Sequence, residues 1–258
     1  MKRTLALILA LVMVLSMSAF AFADGDTLVV AAPDESANLS TTDHDALQTA
    51  FLNVLSYNGL MKLDYSMNPV CDLAESYTVS EDGCTWTFNL HQGVLFHNGE
   101  ELTADDVVAS MVAAQSMPQV ASFTKDYTAV EATDKYTVTI TTDGYNSNLL
   151  YSLANHANFI LPKSLLDSGH NFNEEPVGTG PYKFVRWNHG DSIEYVANED
   201  YFAGAPAIKN LTWRFIPEGT SRSLVLEAGE VDFVIDVDAA NMAGIEDNPD
   251  LYMDVVDS

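Results

Sequence analysis

The sequence predicts an α/β protein, because strand-like and helix-like apolar patterns alternate along its 258 residues. A consecutive apolar run at residues 26–32 indicates a buried strand, and apolar residues at helical spacing follow at residues 45–55. Strand-like alternation then recurs around turn residues. Apolar residues make up 47% of the chain, which is enough for a substantial core and argues against a disordered polypeptide.

The first 23 residues have the pattern of a secretory signal peptide. Lys2 and Arg3 supply positive charge, residues 5–15 are almost entirely apolar, and the small residues Ala21 and Ala23 precede Asp24. The apolar run is short for a membrane span, which needs about 20 residues. No cysteine that could carry a lipid stands near the cut. We therefore predict cleavage after Ala23 and a soluble exported protein, periplasmic, extracellular or at the cell surface.

The formal net charge of the chain is −26 at pH 7. Loss of Lys2 and Arg3 with the signal peptide would make the mature protein more negative still. Such a surface is unsuited to nucleic acid or to an anionic membrane as a partner. A charged coat that keeps an exported protein soluble is the simpler interpretation of this composition.

The first predicted helix covers residues 45–55. Its apolar residues recur at helical spacing and are Ala46, Leu47, Ala50, Phe51, Val54 and Leu55. Tyr57, Asn58 and Gly59 follow, and we expect Gly59 to end the helix as a left-handed cap.

A β-rich stretch comes next. Alternating apolar residues on both sides of the turn at residues 80–83 predict a hairpin, and a second hairpin is predicted around residues 133–135. Between them, Thr103 can cap a helix whose first turn carries Asp105 and Asp106 at the positive end of its dipole. Pro118 marks the limit of that helix.

Strand-like and helix-like apolar segments occur again after Pro176. Strands are predicted at residues 182–187, 192–197, 211–215, 231–235 and 251–256, and a helix at residues 221–228 with Gly229 as its cap.

The two cysteines are Cys71 and Cys84. Export permits a disulfide, but a simple hairpin between them does not place them opposite each other, so we favour two free thiols. Neither cysteine has a His or Cys at the spacing of a zinc site.

Several short stretches, taken together, resemble one family, the peptide, dipeptide and nickel class of extracellular solute-binding proteins known as family 5. They are residues 57–60 (YNGL), 73–77 (LAESY), 80–83 (SEDG), 85–88 (TWTF), 96–99 (FHNG), 102–107 (LTADDV), 177–182 (VGTGPY), 198–201 (NEDY) and 229–232 (GEVD). Each stretch alone is a weak signal, but their order along nearly the whole mature chain is specific.

The resemblance implies a type II, periplasmic-binding-protein-like fold with two lobes. Residues 24–63 and 177–258 would form a discontinuous first lobe, and residues 64–176 would form an inserted, smaller α+β domain. Members of the family are usually about twice this length, so the second lobe is expected to be missing from this chain.

The resemblance also implies a function. The chain would be the substrate-binding component of an ABC transporter, capturing oligopeptides or dipeptides outside the membrane and delivering them to the permease subunits. It would be a monomer without a cofactor. An exported binder of nickel chelates, haem or oligosaccharides with the same fold remains an alternative, as does an exported hydrolase or sensor domain.

Candidate ligand-binding residues lie in three places. The loop after the first strand contains Asp34, Glu35, Ser36, Ala37 and Asn38, and the carboxyl end of a strand faces the ligand crevice in open α/β sheets. Tyr57 and Asn58 stand at a helix end. Thr179 and Gly180 lie in a sharp turn that allows close approach of the backbone. A solvated acidic loop is an equally good interpretation of residues 34–38.

No catalytic or metal constellation is present. The sequence contains no Gly-x-Ser-x-Gly elbow, no His-Glu-x-x-His helix and no phosphate loop. His97 is a lone histidine in a turn, which is more often structural than catalytic. We therefore expect a protein that binds and does not turn over its ligand.

The signal pattern predicts that the secreted protein begins at Asp24. N-terminal sequencing of protein recovered from outside the cytoplasm checks this. A secreted product that still begins at Met1 would refute the predicted cleavage.

Overall fold

The computed structural model describes residues 26–44 and 46–255, so the predicted signal peptide lies outside the described residues. The strands and helices follow in chain order: β1 Thr27–Ala32, α1 Leu47–Ser56, β2 Met61–Leu63, β3 Pro69–Cys71, β4 Ala74–Val79, β5 Thr85–Leu90, α2 Ala104–Gln115, α3 Ala121–Thr124, β6 Ala129–Asp134, β7 Thr137–Thr141, α4 Leu149–Leu153, α5 Lys163–Ser168, β8 Tyr182–Asn188, β9 Ser192–Ala197, β10 Asn210–Phe215, α6 Gly219–Glu227, β11 Phe233–Val234 and α7 Ala239–Glu246.

The first sheet is mixed and has the strand order β11-β1-β10-β9-β8. Strand β1 lies parallel to both of its neighbours, and the other two pairs are antiparallel. One face carries an apolar core to which α1 contributes Leu52. Helix α6 covers the opposite face at β1 and β11, through Val225 and Leu226. The sheet thus combines strands from both ends of the chain.

The second sheet is antiparallel and has the order β4-β5-β7-β6. Helix α2 packs on it through Val107 and Met111, beside the strand residues Phe88, Val138 and Ile140. The carboxylate of Asp106 accepts hydrogen bonds from the backbone N–H (2.8 Å) and the hydroxyl (2.9 Å) of Thr103, which fixes the predicted start of α2.

Strands β2 and β3 form a separate, short two-stranded ribbon. Among the described residues, no strand pair joins the first sheet to the second. The predicted domain boundary at residues 63/64 falls inside the ribbon, and Leu60 and Met61 pack in the core of the second sheet. The division into residues 24–63 with 177–258, and 64–176, stays a prediction.

Cys71 and Cys84 are free thiols, so the interpretation favoured from the hairpin geometry holds. No helix in the described part of the chain is long and apolar enough to cross a membrane.

The expected role of Gly59 is wrong. Residue Tyr57 ends α1 in an extended conformation, and Gly59 is not among the glycines with positive φ. A Cβ at Gly59 would instead lie 2.9 Å from the carbonyl oxygen of Leu153 and 3.0 Å from that of Met61. Glycine is required here because two backbone segments pass close by, and no left-handed turn is involved.

The buried face of α1 is largely polar. Thr49, Asn53 and Ser56 are buried with Leu52, whereas Leu47, Phe51 and Val54 are 64%, 42% and 52% exposed. The Asn53 amide explains part of this orientation, because it donates to the carbonyl of Ser40 (3.1 Å) and lies 3.1 Å from Nε2 of His44.

The C-terminal part contains further differences. The strand predicted at residues 231–235 is only Phe233–Val234. The strand predicted at residues 251–256 is absent, since residues 251–255 form neither helix nor strand and residue 256 lies outside the described part. Elsewhere in the chain, helices α3, α4, α5 and α7 were not predicted, because each has eight residues or fewer and gives little room for a helical repeat of apolar residues.

Residues 177–181, which we call the return segment, bring the chain back to the first sheet and lie against the end of α1. The Gly180 N–H donates to the carbonyl of Ser56 at 3.0 Å. A Cβ at Gly178 would lie 2.2 Å from the Ser56 carbonyl oxygen, and one at Gly180 would lie 2.4 Å from the Ser56 carbonyl carbon. The glycines therefore serve contact with α1, an internal element.

His97 holds the return segment from the other side. Its Nε2 lies 3.0 Å from the carbonyl oxygen of Gly180, and its Nδ1 accepts from the Gly178 N–H at 3.5 Å. This arrangement places the proton on Nε2 of a neutral ring. Burial lowers the pKa of His97 to about 4, and the charge of Lys183 acts in the same direction.

Alanine at Gly178 or Gly180 should lower the free energy of unfolding by about 2–3 kcal/mol, because the new methyl group collides with α1 backbone that cannot rotate away. Gly244→Ala is the matched control, since open space surrounds this helical glycine and alanine favours helix. Denaturant melts measure both. Equal stability of Gly178→Ala and Gly244→Ala would contradict the close contact.

The His97 site should make stability depend on pH between about 6.5 and 4. Because the folded-state pKa lies below the unfolded value, the contribution is complete above pH 6.5 and is lost as pH falls toward 4. The contribution is about 3 kcal/mol in size. We expect the stability difference between the native protein and His97→Gln, which does not titrate, to shrink over this window. If the stabilities of the native protein and of His97→Gln changed in parallel with pH, the His97 ring would not be held neutral in the folded protein.

Candidate functional site

Three parallel strands, β11, β1 and β10, end at one edge of the first sheet. The loops that leave this edge are residues 33–38 after β1, 216–218 after β10 and 235–238 after β11. In open α/β sheets the ligand crevice lies outside the carboxyl ends of the strands. This edge is therefore the candidate site, and residues 34–38 lie in one of its loops.

The carboxylate of Glu35 is bonded to other residues of the protein. It accepts from the Trp187 indole N–H at 2.8 Å and from the Gly190 backbone N–H at 3.0 Å, and it lies 3.3 Å from Nδ1 of His189. The Trp187 and His189 rings pack with centroids 4.3 Å apart. Glu35 thus anchors the loop to the β8–β9 turn, and Trp187 packs partly on the sheet core.

Ser36 and Asn38 are also engaged internally. The Ser36 hydroxyl is bonded to the Thr49 hydroxyl of α1 and donates to the carbonyl of Asn38 at 2.8 Å. The Asn38 amide donates to the carbonyl of Asp43 at 3.1 Å. Of the five predicted loop residues, Asp34 and Ala37 remain exposed with their side chains uncommitted to these contacts.

The other predicted residues lie elsewhere, in a buried junction at the far end of α1. The Asn58 amide donates to Asp72 (2.8 Å) and to the hydroxyl of Tyr201 (3.2 Å), and its oxygen accepts from the Thr179 hydroxyl (3.0 Å). Asp72 also pairs with Lys62 Nζ at 3.0 Å. These contacts join the α1 end to the return segment.

Tyr57 and Gly180 belong to the same junction. Tyr57 is 1% exposed and packs on Phe159, Leu161 and Phe172, and burial raises the pKa of its phenol. The carbonyl of Gly180 accepts from the Asn198 amide at 3.0 Å. The structure therefore brings Tyr57, Asn58, Thr179 and Gly180 together, and it separates them from residues 34–38 by the length of α1.

Arg222 lies at the candidate edge although the sequence analysis did not single it out. Its guanidinium donates to the carbonyls of Ile216 (2.8 Å) and Pro217 (2.9 Å) in one loop and of Asp236 (2.9 Å) in the next. Asp236 is one of two described non-glycine residues with positive φ. The sequence did hold a signal for this loop. It follows the strand predicted at residues 211–215, and the carboxyl ends of strands face the ligand crevice in open α/β sheets.

A separate cavity of about 850 Å³ lies on the polar face of β8, β9 and β10, beside the end of α6. It is lined by Arg186, Glu194 and Arg214 among others, and Arg186 pairs with Glu194 at 2.6 Å. None of the predicted site residues lines it. Polar pairs of this kind suit the solvated face of an antiparallel sheet.

Sequence comparison identifies relatives with named ligands. The chain is 33% identical over 202 residues to the glutathione-binding protein GsiB of Pectobacterium atrosepticum, a match that covers 76% of this chain and 39% of that protein. It is 31% identical over 220 residues to the oligopeptide-binding protein AppA of Bacillus subtilis, covering 81% of this chain and 40% of AppA. The chain spans about two fifths of the length of these relatives.

Comparison with solved structures also finds ligand-binding proteins. AppA in complex with a nonapeptide superposes with a TM-score of 0.77 at 31% identity, covering 86% of this chain and 46% of that structure. NikZ of Campylobacter jejuni in complex with Ni(L-His) gives a TM-score of 0.79 at 29% identity, covering 88% and 46%.

The family model for bacterial extracellular solute-binding proteins, family 5 (middle region), matches residues 68–258, which is most of the described chain. Together with the periplasmic-binding-protein fold and the edge of parallel strands, this match shows that the chain belongs to family 5 of the bacterial extracellular solute-binding proteins.

Proposed function

We propose that this chain is the first-lobe part of the substrate-binding component of an ABC importer, and that it captures oligopeptides or dipeptides outside the membrane for delivery to the permease. The observation that carries the proposal is the loop of residues 34–38 at the carboxyl edge of the first sheet. Its inner side is fastened by hydrogen bonds, and Asp34 and Ala37 stay open to a ligand. The similarity to the peptide binder AppA supports peptides as the ligand class.

The fastening matters because a peptide ligand offers mainly backbone donors and acceptors. Glu35 holds the loop to the β8–β9 turn and Ser36 holds it to α1, so the loop conformation is set before any ligand arrives. A preorganised loop loses less conformational entropy on binding than a mobile one. The backbone groups of residues 34–37 are thus already positioned to contact a peptide.

Asp34 is the proposed charged contact. Its carboxylate suits a peptide ammonium or a basic side chain. Because Asp34 is exposed, such a pair contributes about 1 kcal/mol at most. We expect it to adjust the affinity while the backbone wall supplies recognition.

We also propose that residues 24–63 and 177–258 form one lobe and that residues 64–176 are inserted between them. The first sheet draws its strands from residues 27–32 and 182–234, whereas the second sheet lies within residues 74–141. In this proposal Asn58, Thr179 and Gly180 act as the internal joint of the lobe. Their burial makes them unsuitable as direct ligand contacts.

A ligand held on a single lobe keeps one side in water. Peptide groups on that side must compete with solvent, and unpaired polar groups cost about 1–3 kcal/mol each. We therefore expect a polypeptide of residues 24–258 on its own to bind peptides with Kd weaker than about 1 μM, or not detectably, by isothermal titration. Submicromolar affinity of the monomer would contradict the proposal that tight binding needs contacts from two lobes.

The ligand class is tested by NMR at millimolar ligand. Peptides should shift the backbone resonances of residues 34–38. Asp34→Asn should lower the affinity for cationic peptides, measured from these shifts, about threefold, as expected for an exposed ion pair. Asp143→Asn, at an exposed acid distant in sequence, is the matched control. Larger shifts with Ni(L-His), haem or an oligosaccharide would favour the alternatives. Peptide cleavage by purified protein would favour a hydrolase.

A further inference from the structure

The cavity of about 850 Å³ on the first sheet has a polar floor, formed by side chains that point away from the core beneath α1. Along β10, Leu211, Trp213 and Phe215 are buried in that core. Because side chains alternate along a strand, Thr212 and Arg214 lie on the opposite face, where both line the cavity. Its volume lies within the range of sites that hold small ligands, about 300–1,000 Å³.

Arg214 provides this cavity with an available cationic group. Its side chain is partly buried, and the strand register places it opposite Ser192 of β9. Within the described part of the chain, its guanidinium forms no hydrogen bond and no ion pair. A guanidinium presents five N–H donors in a planar fork that matches a carboxylate. The hydroxyl of Thr212, two residues earlier on the same face, adds a further donor.

Two of the acids that line the cavity are bonded to other groups. Glu194 accepts from the Arg186 guanidinium at 2.6 Å and from the Asn188 amide at 3.2 Å. Asp191 accepts from the Ser192 hydroxyl at 2.8 Å. Both carboxylates thus belong to the bonded floor of the cavity, and neither of them neutralises the guanidinium at its centre.

Glu230 supplies the opposite charge at the side of the cavity, just after α6. Its side chain is exposed and forms no ion pair with the other described residues. The charged residues of the lining are two cations and three acids: Arg186, Arg214, Asp191, Glu194 and Glu230. A purely anionic ligand would meet this excess of negative charge. A molecule with a carboxylate and an ammonium complements both Arg214 and Glu230.

We propose that this cavity is a second binding site, which takes a small zwitterion of the amino-acid or dipeptide type. The ligand carboxylate accepts hydrogen bonds from Arg214 and Thr212, and the ligand ammonium faces Glu230. The cavity lies on a face of the first sheet, whereas the ligand crevice proposed above lies beyond its carboxyl edge, and none of residues 34–38 lines the cavity. The two proposals therefore stand or fail separately.

The test is an NMR titration of the polypeptide of residues 24–258 at millimolar ligand. The probes are L-alanyl-L-alanine, its N-acetyl derivative, which lacks the ammonium, its C-terminal amide, which lacks the carboxylate, and L-alanine. Backbone shifts of residues 192–194 and 212–214 report on the cavity, and those of residues 34–38 report on the crevice. Affinity for L-alanine equal to that for the dipeptide supports a free amino acid as the ligand, and weaker binding of L-alanine supports a dipeptide.

At the cavity, the dipeptide should bind at least about tenfold more tightly than its amide, because hydrogen bonds between charged groups are strong. It should bind about threefold more tightly than the N-acetyl derivative, because Glu230 is exposed. Arg214→Gln should remove the first preference and Glu230→Gln the second. Lys125→Gln is the charge-matched control, since Lys125 is an exposed cation outside the cavity, and it should keep both preferences. All three variants should melt at the native Tm.

The proposal is overturned if the dipeptide shifts only residues 34–38 or shifts nothing, or if the amide and the N-acetyl derivative bind at the cavity as tightly as the dipeptide does. Unchanged preferences in Arg214→Gln would overturn it as well. So would a lower Tm of Arg214→Gln, because the guanidinium would then be required by the fold and would not be available to a ligand.

Discussion

The packing of the return segment against the end of α1 is the contact on which the rest of the structure depends. Gly180 donates to the Ser56 carbonyl, and no side chain fits at Gly178 or Gly180. His97 binds the same segment from the second-sheet side. The contact joins residues that are more than 120 positions apart. All four of the other strands in the first sheet, β8 to β11, follow the return segment, and two of them, β10 and β11, pair with β1.

The candidate site is a consequence of that assembly. Glu35 reaches Gly190 across 155 residues, so the loop after β1 becomes fixed only once β8 and β9 are in place. Arg222 similarly links the loops after β10 and β11. The site loops are therefore positioned by long-range bonds, which is how a scaffold gives a surface loop a defined shape. Thr49 and Asn53 on the inner face of α1 are likewise bonded to Ser36 and Ser40 in the segment that follows β1.

The errors of the sequence analysis have a common physical origin. Apolar periodicity predicted α1 at nearly the observed residues but not which of its faces is buried, because Thr49 and Asn53 form hydrogen bonds with residues outside the helix. Gly59 was assigned to a local cap, although its constraint comes from the distant backbone of Leu153. Asn58, at a predicted helix end, and Thr179, in a predicted turn, were chosen from local patterns, which could not show that the two side chains are hydrogen-bonded to each other in a buried junction.

The sequence by itself determined the elements whose signals are local. Alternation and turn chemistry predicted β1, the hairpin strands and β8 to β10, and the residues at 103–106 predicted the start of α2, since these patterns depend on neighbours a few residues away. Ordered motifs also predicted the family. Only the tertiary structure decided which predicted site residues lie together, that Glu35 forms bonds within the fold, and that α1 leaves Leu47, Phe51 and Val54 exposed. Those outcomes depend on hydrogen bonds between distant segments, which no local pattern encodes.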